Sequence, residues 1–314
     1  MYLKSCLLIA TCGLGILATA SIGFSCLFTR WYGQPKRSLP QALPADFDLP
    51  FEAVSFTSHS RTIEGWFIPP AGSPVKWPTI IVVHGWSFNK SSMLPVAKYL
   101  HRAGFGVLAF DARGHGSSCS DGPITILKFA EDIISAVQYL EGRHDVDISR
   151  LGVVGHSMGG ASGILAASMD PRIRALVSTS AFADPVSLTR RYMKRYHIPP
   201  QLFLWCVSRC IEGWLGSSME KVAPYRRISD VHAPVLLIHG DSDRFIPPSD
   251  MEAILHEAND QTVKSWLAAG RRHTDVILDP EFGPRIISFL QQHLAPGKLE
   301  APENNRSEAQ ELQS

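Results

Sequence analysis

The chain has 314 residues with a formal net charge of +1 at pH 7; 45% of its residues are hydrophobic and 19% charged. That apolar content excludes a wholly disordered chain, and the near-zero charge leaves no basic footprint for nucleic acid. Six cysteines, three of them (Cys6, Cys12, Cys26) in the apolar N-terminus, form neither a disulfide framework nor a zinc-ligand pattern.

No charged residue occurs from Ser5 to Phe28, a run longer than the roughly 20 residues a helix needs to cross a bilayer. Trp31 and Tyr32 follow, aromatic types that favour the headgroup layer. Residues 1–33 are therefore expected to be a single-pass membrane anchor. The competing reading is a signal peptide with Lys4 at its start and a small-residue site at Ala18-Thr19-Ala20, which would leave a secreted or periplasmic protein. Apolar character persists past Ala20, which favours the anchor. Lys4 on one flank and Arg30, Lys36 and Arg37 on the other leave the membrane side open. Residues 34–50 hold four prolines and read as a linker. The polar stretch 295–314 reads as a disordered tail. The folded body is then 51–294, and a chain cut free of 1–33 is expected to stay folded and active.

Within the body, Glu52–Thr57 and Thr62–Ile68 read as paired strands. Thr79–Val83, Val107–Phe110, Leu151–Val154, Ala175–Thr179 and Val235–Ile238 are continuous aliphatic runs, as expected of strands covered on both faces. Ser92–Ala103, Ile124–Leu140, Met158–Met169 and Ser249–Glu257 are long enough for crossover helices. The alternation predicts an α/β fold with a mostly parallel sheet and helices on both faces, with its ligand at the carboxyl ends of the strands. Residues 182–231 break the alternation. About 50 residues rich in aromatic and basic side chains separate two strands, and they are expected to form a helical lid over that edge.

The chemistry concentrates at three places. Gly155-His156-Ser157-Met158-Gly159 is a G-x-S-x-G pentapeptide between a strand and a helix, the context in which a serine projects from a sharp turn. The bland alternative for Ser157 is a helix N-cap. A serine hydroxyl needs a base, and the base an orienting carboxylate. Asp241 and Asp243 both follow the strand Val235–Ile238 closely enough to face the site, and His273 lies on a loop after a probable strand. The order serine, acid, histidine is the one this nucleophile turn takes. The oxyanion donors are expected to be the backbone N–H groups of Met158, directly after the nucleophile, and of Trp86, in the loop after Thr79–Val83.

The set HGW (84–86), DARGHGSS (111–118), GHSMG (155–159), HGDSDRFIP (239–247) and GRRHTD (270–275) resembles the α/β-hydrolase superfamily, most closely its serine-aminopeptidase and monoacylglycerol-lipase-like branch. The resemblance spans roughly residues 50 to 293. It implies Ser157 as nucleophile, His273 as base, Asp243 rather than Asp241 as the acid, and His84-Gly85-Trp86 as the oxyanion loop. Asp111, Arg113 and Gly116 match a structural turn. The segment 182–231 matches no named lid.

The expected function is a serine hydrolase that cleaves a carboxylic ester through an acyl-enzyme, on a small-molecule substrate, with a lipid-like acyl chain as the sharper reading. Amide or peptide hydrolysis, thioester hydrolysis and acyl transfer on the same triad are the alternatives, and a non-catalytic binding protein is disfavoured because all three members stand in order. Neither cofactor nor metal is implied. Four cations in Arg190–Arg195 read as a solvated lid face, with anionic lipid or an acidic substrate as the sharper alternative. Cys206 and Cys210, four apart, read as small packed hydrophobes.

Overall fold

The computed structural model describes residues 19–70, 76–259 and 261–294. Residues 1–18 of the expected anchor and the whole expected tail lie outside these.

Eight strands form one sheet. They are β1 (Glu52–Ser58), β2 (Arg61–Ile68), β3 (Trp77–Val83), β4 (Gly106–Phe110), β5 (Val146–His156), β6 (Ala175–Thr179), β7 (Val235–Gly240) and β8 (Val263–Ala268). Their order is β1-β2-β4-β3-β5-β6-β7-β8. The pairings β1–β2 and β2–β4 are antiparallel and every other is parallel. The continuous apolar runs have a direct cause. Ile81, Val83, Val153 and Leu176 point to one core, while Ile80, Val82, Val154 and Val177 point to a second on the opposite face. With period 2 and both faces covered, no position is left for a polar side chain.

An N-terminal helix, α1 (described over 19–32), precedes the sheet. Among the crossover helices, α2 (Leu94–Arg102) covers the second face, and α3 (Ile126–Glu141) and α4 (Met158–Met169) cover the first. Thr125 caps α3, its Oγ1 accepting from the Lys128 N–H. The interval 182–231 is helical, as expected: α5 (Pro185–Arg195), α6 (Pro200–Leu215) and the short α7 (Pro224–Arg227), with single 3-10 turns between. Asp184 caps α5 by accepting from Val186 N and Ser187 N, each at 3.0 Å. Two more helices complete the body: α8 (Ser249–His256) on the first face and α9 (Phe282–Leu294) on the second.

Strands β5 and β8 depart most from what the sequence suggests. β5 begins at Val146, ahead of the expected Leu151, because its first turn of pairing carries the partly exposed Asp147, Ser149 and Arg150. β8 is an edge strand with mostly exposed or half-exposed side chains, so an apolar run finds only its end.

The N-terminal segments differ more. No helix among the described residues is long and apolar enough to cross a membrane. The described part of the expected anchor is packed on the body: Ser25, Phe28 and Thr29 are buried, and the Phe24 ring meets Phe203 of α6 at 4.8 Å. Residues 34–50 are bonded to the body rather than hanging from it. Arg37 donates to the carbonyls of Gly116 and Ser118 at 2.7 and 2.8 Å, and Asn89 donates to the Ser38 carbonyl at 3.1 Å. Leu49 is buried in the second core. Proline content marks a chain that cannot pair in a sheet, but it says nothing of side chains that anchor it.

Candidate active site

The site forms where β5 turns into α4. Ser157 sits at φ 55°, ψ −115°, a conformation that costs a non-glycine residue energy and lifts its side chain out of the turn. The turn closes only on glycine: a Cβ at 155 would overlap the Gly159 carbonyl, and one at 159 would overlap the backbone of Val83. Ser157 N donates to the Thr179 carbonyl at 2.8 Å, which ties the turn to β6.

Three side chains from different ends of the chain meet here. His273 Nε2 lies 2.9 Å from Ser157 Oγ, and His273 Nδ1 lies 2.7 Å from Asp243 Oδ2. Asp243 is fully buried. Its Oδ1 accepts from the backbone N–H groups of Phe245 and Ile246, each at 2.9 Å. Burial alone would raise its pKa, but His239, His273 and those N–H donors together hold the carboxyl well below the usual range. A carboxylate so held accepts from His273 Nδ1 and orients the ring with Nε2 toward Ser157.

Asp241, which position alone could not separate from Asp243, does different work. It is exposed, and its Oδ1 accepts from Gly270 N at 2.8 Å and Ser242 Oγ at 2.9 Å, bracing the loop that carries His273.

His239 was not among the candidates. Its Nε2 donates to the Ile246 carbonyl at 2.9 Å and lies 3.5 Å from Asp243 Oδ2, so it holds the acid loop and adds a dipole beside the carboxylate. The available signal was its place, at the end of an apolar strand and four residues before the acid.

The loop after β3 approaches Ser157 closely, since a Cβ at Gly85 would stand 3.2 Å from the Ser157 Cβ. Behind it, His84 is buried and neutral. Burial lowers its pKa, its Nδ1 donates to the Gly85 carbonyl at 2.7 Å, and its Nε2 accepts from Ala112 N at 3.1 Å. A buried ion pair, Lys90 Nζ to Asp111 Oδ2 at 2.6 Å, clamps the same loop, and Asp111 also accepts from Lys90 N and Ser117 N. Arg113 pairs with Asp132 at 2.7 Å and Glu131 at 2.6 Å. The turn 111–118 is thus structural.

Ser157 opens into a narrow apolar cavity. Trp86 and Met158 line it beside Ser157; Leu188 and Tyr192 of α5 and Ile211 and Trp214 of α6 cover it. Among the described residues, no carboxylate and no cation lines it. The basic run of α5 faces away: Arg190, Lys194 and Arg195 are exposed, and Arg191 pairs with Asp250 of α8 at 2.9 Å. Cys206 and Cys210 sit on α6, and the Cys210 sulfur meets that of Cys26 in α1 at 3.6 Å.

A parallel sheet flanked by helices, with a strained serine between a strand and a helix and an acid–histidine pair on later loops, defines an α/β-hydrolase architecture. Comparison with known proteins agrees. The family profile "Serine aminopeptidase, S33" matches residues 76–223. The uncharacterized protein YfhR of Escherichia coli O157:H7 is 30% identical over 253 residues, covering 78% of this chain and 82% of that protein. Rv2307c of Mycobacterium tuberculosis, also uncharacterized, is 30% identical over 224 residues, 71% of each chain. Among solved structures, the esterase Pf2001 of Pyrococcus furiosus aligns with a TM-score of 0.68 at 24% identity, over 83% of this chain and 98% of its own. Est1E of Butyrivibrio proteoclasticus, with ferulic acid bound, aligns at 0.62 and 21%, over 77% and 100%. The chain belongs to the α/β-hydrolase superfamily, in its serine aminopeptidase (S33) branch.

Proposed function

We propose that the protein is a serine hydrolase that cleaves carboxylic esters with an apolar acyl group. The observation that carries this is the line Ser157 Oγ to His273 Nε2 (2.9 Å) and His273 Nδ1 to Asp243 (2.7 Å), with Ser157 opening into an apolar cavity.

In this reading His273 Nε2 takes the Ser157 proton as Oγ attacks the ester carbonyl, and Asp243 stabilises the imidazolium that forms. The developing oxyanion is held by the backbone N–H groups of Met158 and Trp86. The same histidine returns the proton to the departing alcohol, leaving an acyl-enzyme. Water, deprotonated by His273, then releases the acid. The apolar lining supports an acyl chain over a peptide's ammonium terminus, which needs a carboxylate partner that the cavity wall lacks. The uncharged run 5–18 continues into a helix that exposes Phe24, Leu27 and Trp31, which supports an N-terminal membrane attachment.

Labelling with a fluorophosphonate probe and hydrolysis of p-nitrophenyl esters test the chemistry. Both are expected in the unmodified chain and neither in Ser157→Ala. Undiminished labelling of that variant would remove Ser157 as nucleophile. Extraction of the full chain from membranes by detergent but not by alkaline carbonate tests the attachment.

A further inference from the structure

One wall of the cavity beside Ser157 comes from outside the strand–helix body. Tyr32 and Gly33, at the end of α1, line the cavity with α5 and α6, and they precede the first residue matched by the family profile by more than forty positions.

Tyr32 is placed to limit that cavity. Its ring lies 5.0 Å from Tyr192 of α5 and 6.5 Å from Trp86 of the oxyanion loop, centroid to centroid. Tyr192 meets Phe245 at 5.4 Å, and Phe245 meets the His273 ring at 5.2 Å. Tyr32 thereby closes an aromatic arc that runs from the oxyanion loop round to the base. Burial of the ring pushes its pKa up.

The backbone under Tyr32 is held as well. The Gly33 carbonyl accepts from Ile124 N at 2.7 Å. Phe28 stacks on Tyr32 at 5.8 Å, and Trp31 meets Tyr196 edge-on at 4.9 Å. A side chain fixed from both sides acts as a stop rather than as a flexible gate.

We infer that Tyr32 is a specificity-determining residue whose ring sets the length of acyl chain that the cavity accepts. The inference rests on the esterase reading above. Each methylene that a pocket accepts or refuses is worth about 10-fold or more in kcat/KM, so a change of wall should be visible in the chain-length profile rather than in activity alone.

The experiment uses the full-length chain in detergent and p-nitrophenyl butyrate, octanoate and dodecanoate. Tyr32→Leu and Tyr32→Ala are expected to raise the dodecanoate-to-butyrate ratio of kcat/KM by about tenfold or more, chiefly through a lower KM for the long ester. Tyr32→Trp should move the ratio the other way. Tyr32→Phe keeps the ring and should leave the ratio within about twofold of the unmodified protein, while any purely structural damage lowers all three esters together. Fluorophosphonate labelling of Ser157, measured on every variant, separates the two levels. Labelled variants with an unchanged ratio overturn the role of Tyr32 and leave the hydrolase reading standing. An unmodified chain that neither labels nor hydrolyses any of the three esters overturns both.

Discussion

The sulfur of Cys26 in the N-terminal helix lies 3.6 Å from the sulfur of Cys210 in α6, although 184 positions separate them in the chain. Both are free thiols. Closing that gap to a bond of about 2.05 Å requires small torsional adjustments on two helices. Treatment with diamide, which takes up the two hydrogens, is therefore expected to give an intramolecular disulfide. It would be seen as a mass loss of two hydrogens and a peptide linking residues 26 and 210. Cys206→Ser should leave the crosslink intact and Cys26→Ser should abolish it. A reaction of Cys210 with external thiol reagents but never with Cys26 would show that the helix does not rest on α6 in solution.

Asp243 and Asp241 are two residues apart and chemically identical, yet their loss should differ greatly. Asn at 243 can donate to His273 Nδ1 and so favours the tautomer that cannot take the serine proton; about 10⁴-fold in kcat is expected, the cost of that change in a comparable triad. Asn at 241 retains an oxygen to accept from Gly270 N, and its effect should stay below about tenfold. Steady-state kinetics on the two variants decide, and equal losses would refute the assignment.

Lys90 and Asp111 form an ion pair with both side chains buried. Lys90→Met would leave the carboxylate buried without its cation, a change that typically costs about 3–5 kcal/mol. Urea unfolding should show that loss, and Lys90→Met combined with Asp111→Asn should recover part of it. Because the pair clamps the loop carrying Trp86, turnover in the single variant should fall more than the folded fraction does.

Two buried imidazoles make the fold sensitive to acid. Burial, with a nearby His273 as the second cause, pushes His156 down to about 3 from 6.5; burial, with His84 beside it, does the same to His115. Between about pH 6.5 and 3 the unfolded chain protonates these rings and the folded chain does not, so stability falls as pH falls. Asp132 acts oppositely. Burial, working against Arg113, pushes it up to about 6, so below that pH the folded state binds its proton first, until the unfolded carboxyl protonates near 3.8. With His84, whose pKa burial also lowers, three rings stand against one carboxyl, so stability should fall as pH falls from 6 to 5. Urea midpoints across that interval should show it, and His115→Phe should flatten the slope. A slope that is equally steep in the variant would mean that His115 already protonates in the folded protein.

How much of this could be read in advance varied with the kind of signal. Continuous aliphatic runs located the central strands, since a strand covered on both faces has no polar position to spare. They undershot β5 and β8, whose partly exposed ends carry polar side chains. Ser157 was legible because its strained turn demands glycines at fixed offsets. His239 was not, since a histidine that holds a loop obeys no spacing rule. By position alone Asp241 and Asp243 fitted equally; the family resemblance favoured Asp243, and what separates them physically is burial beside His239 against exposure beside Gly270.

The amino-acid order by itself determined the layered α/β architecture and the glycine-bounded serine turn between β5 and α4, because each depends on local periodicity or on close-range sterics. Only the tertiary structure decided where the apolar N-terminal segment goes once it reaches the body. Burial of apolar surface is favourable against a bilayer, a core or a neighbouring helix alike, so hydrophobicity states that such a run will be covered without stating by what. Here the insertion above the cavity meets Phe24 and Tyr32, and a stretch that reads as an anchor supplies a wall of the site.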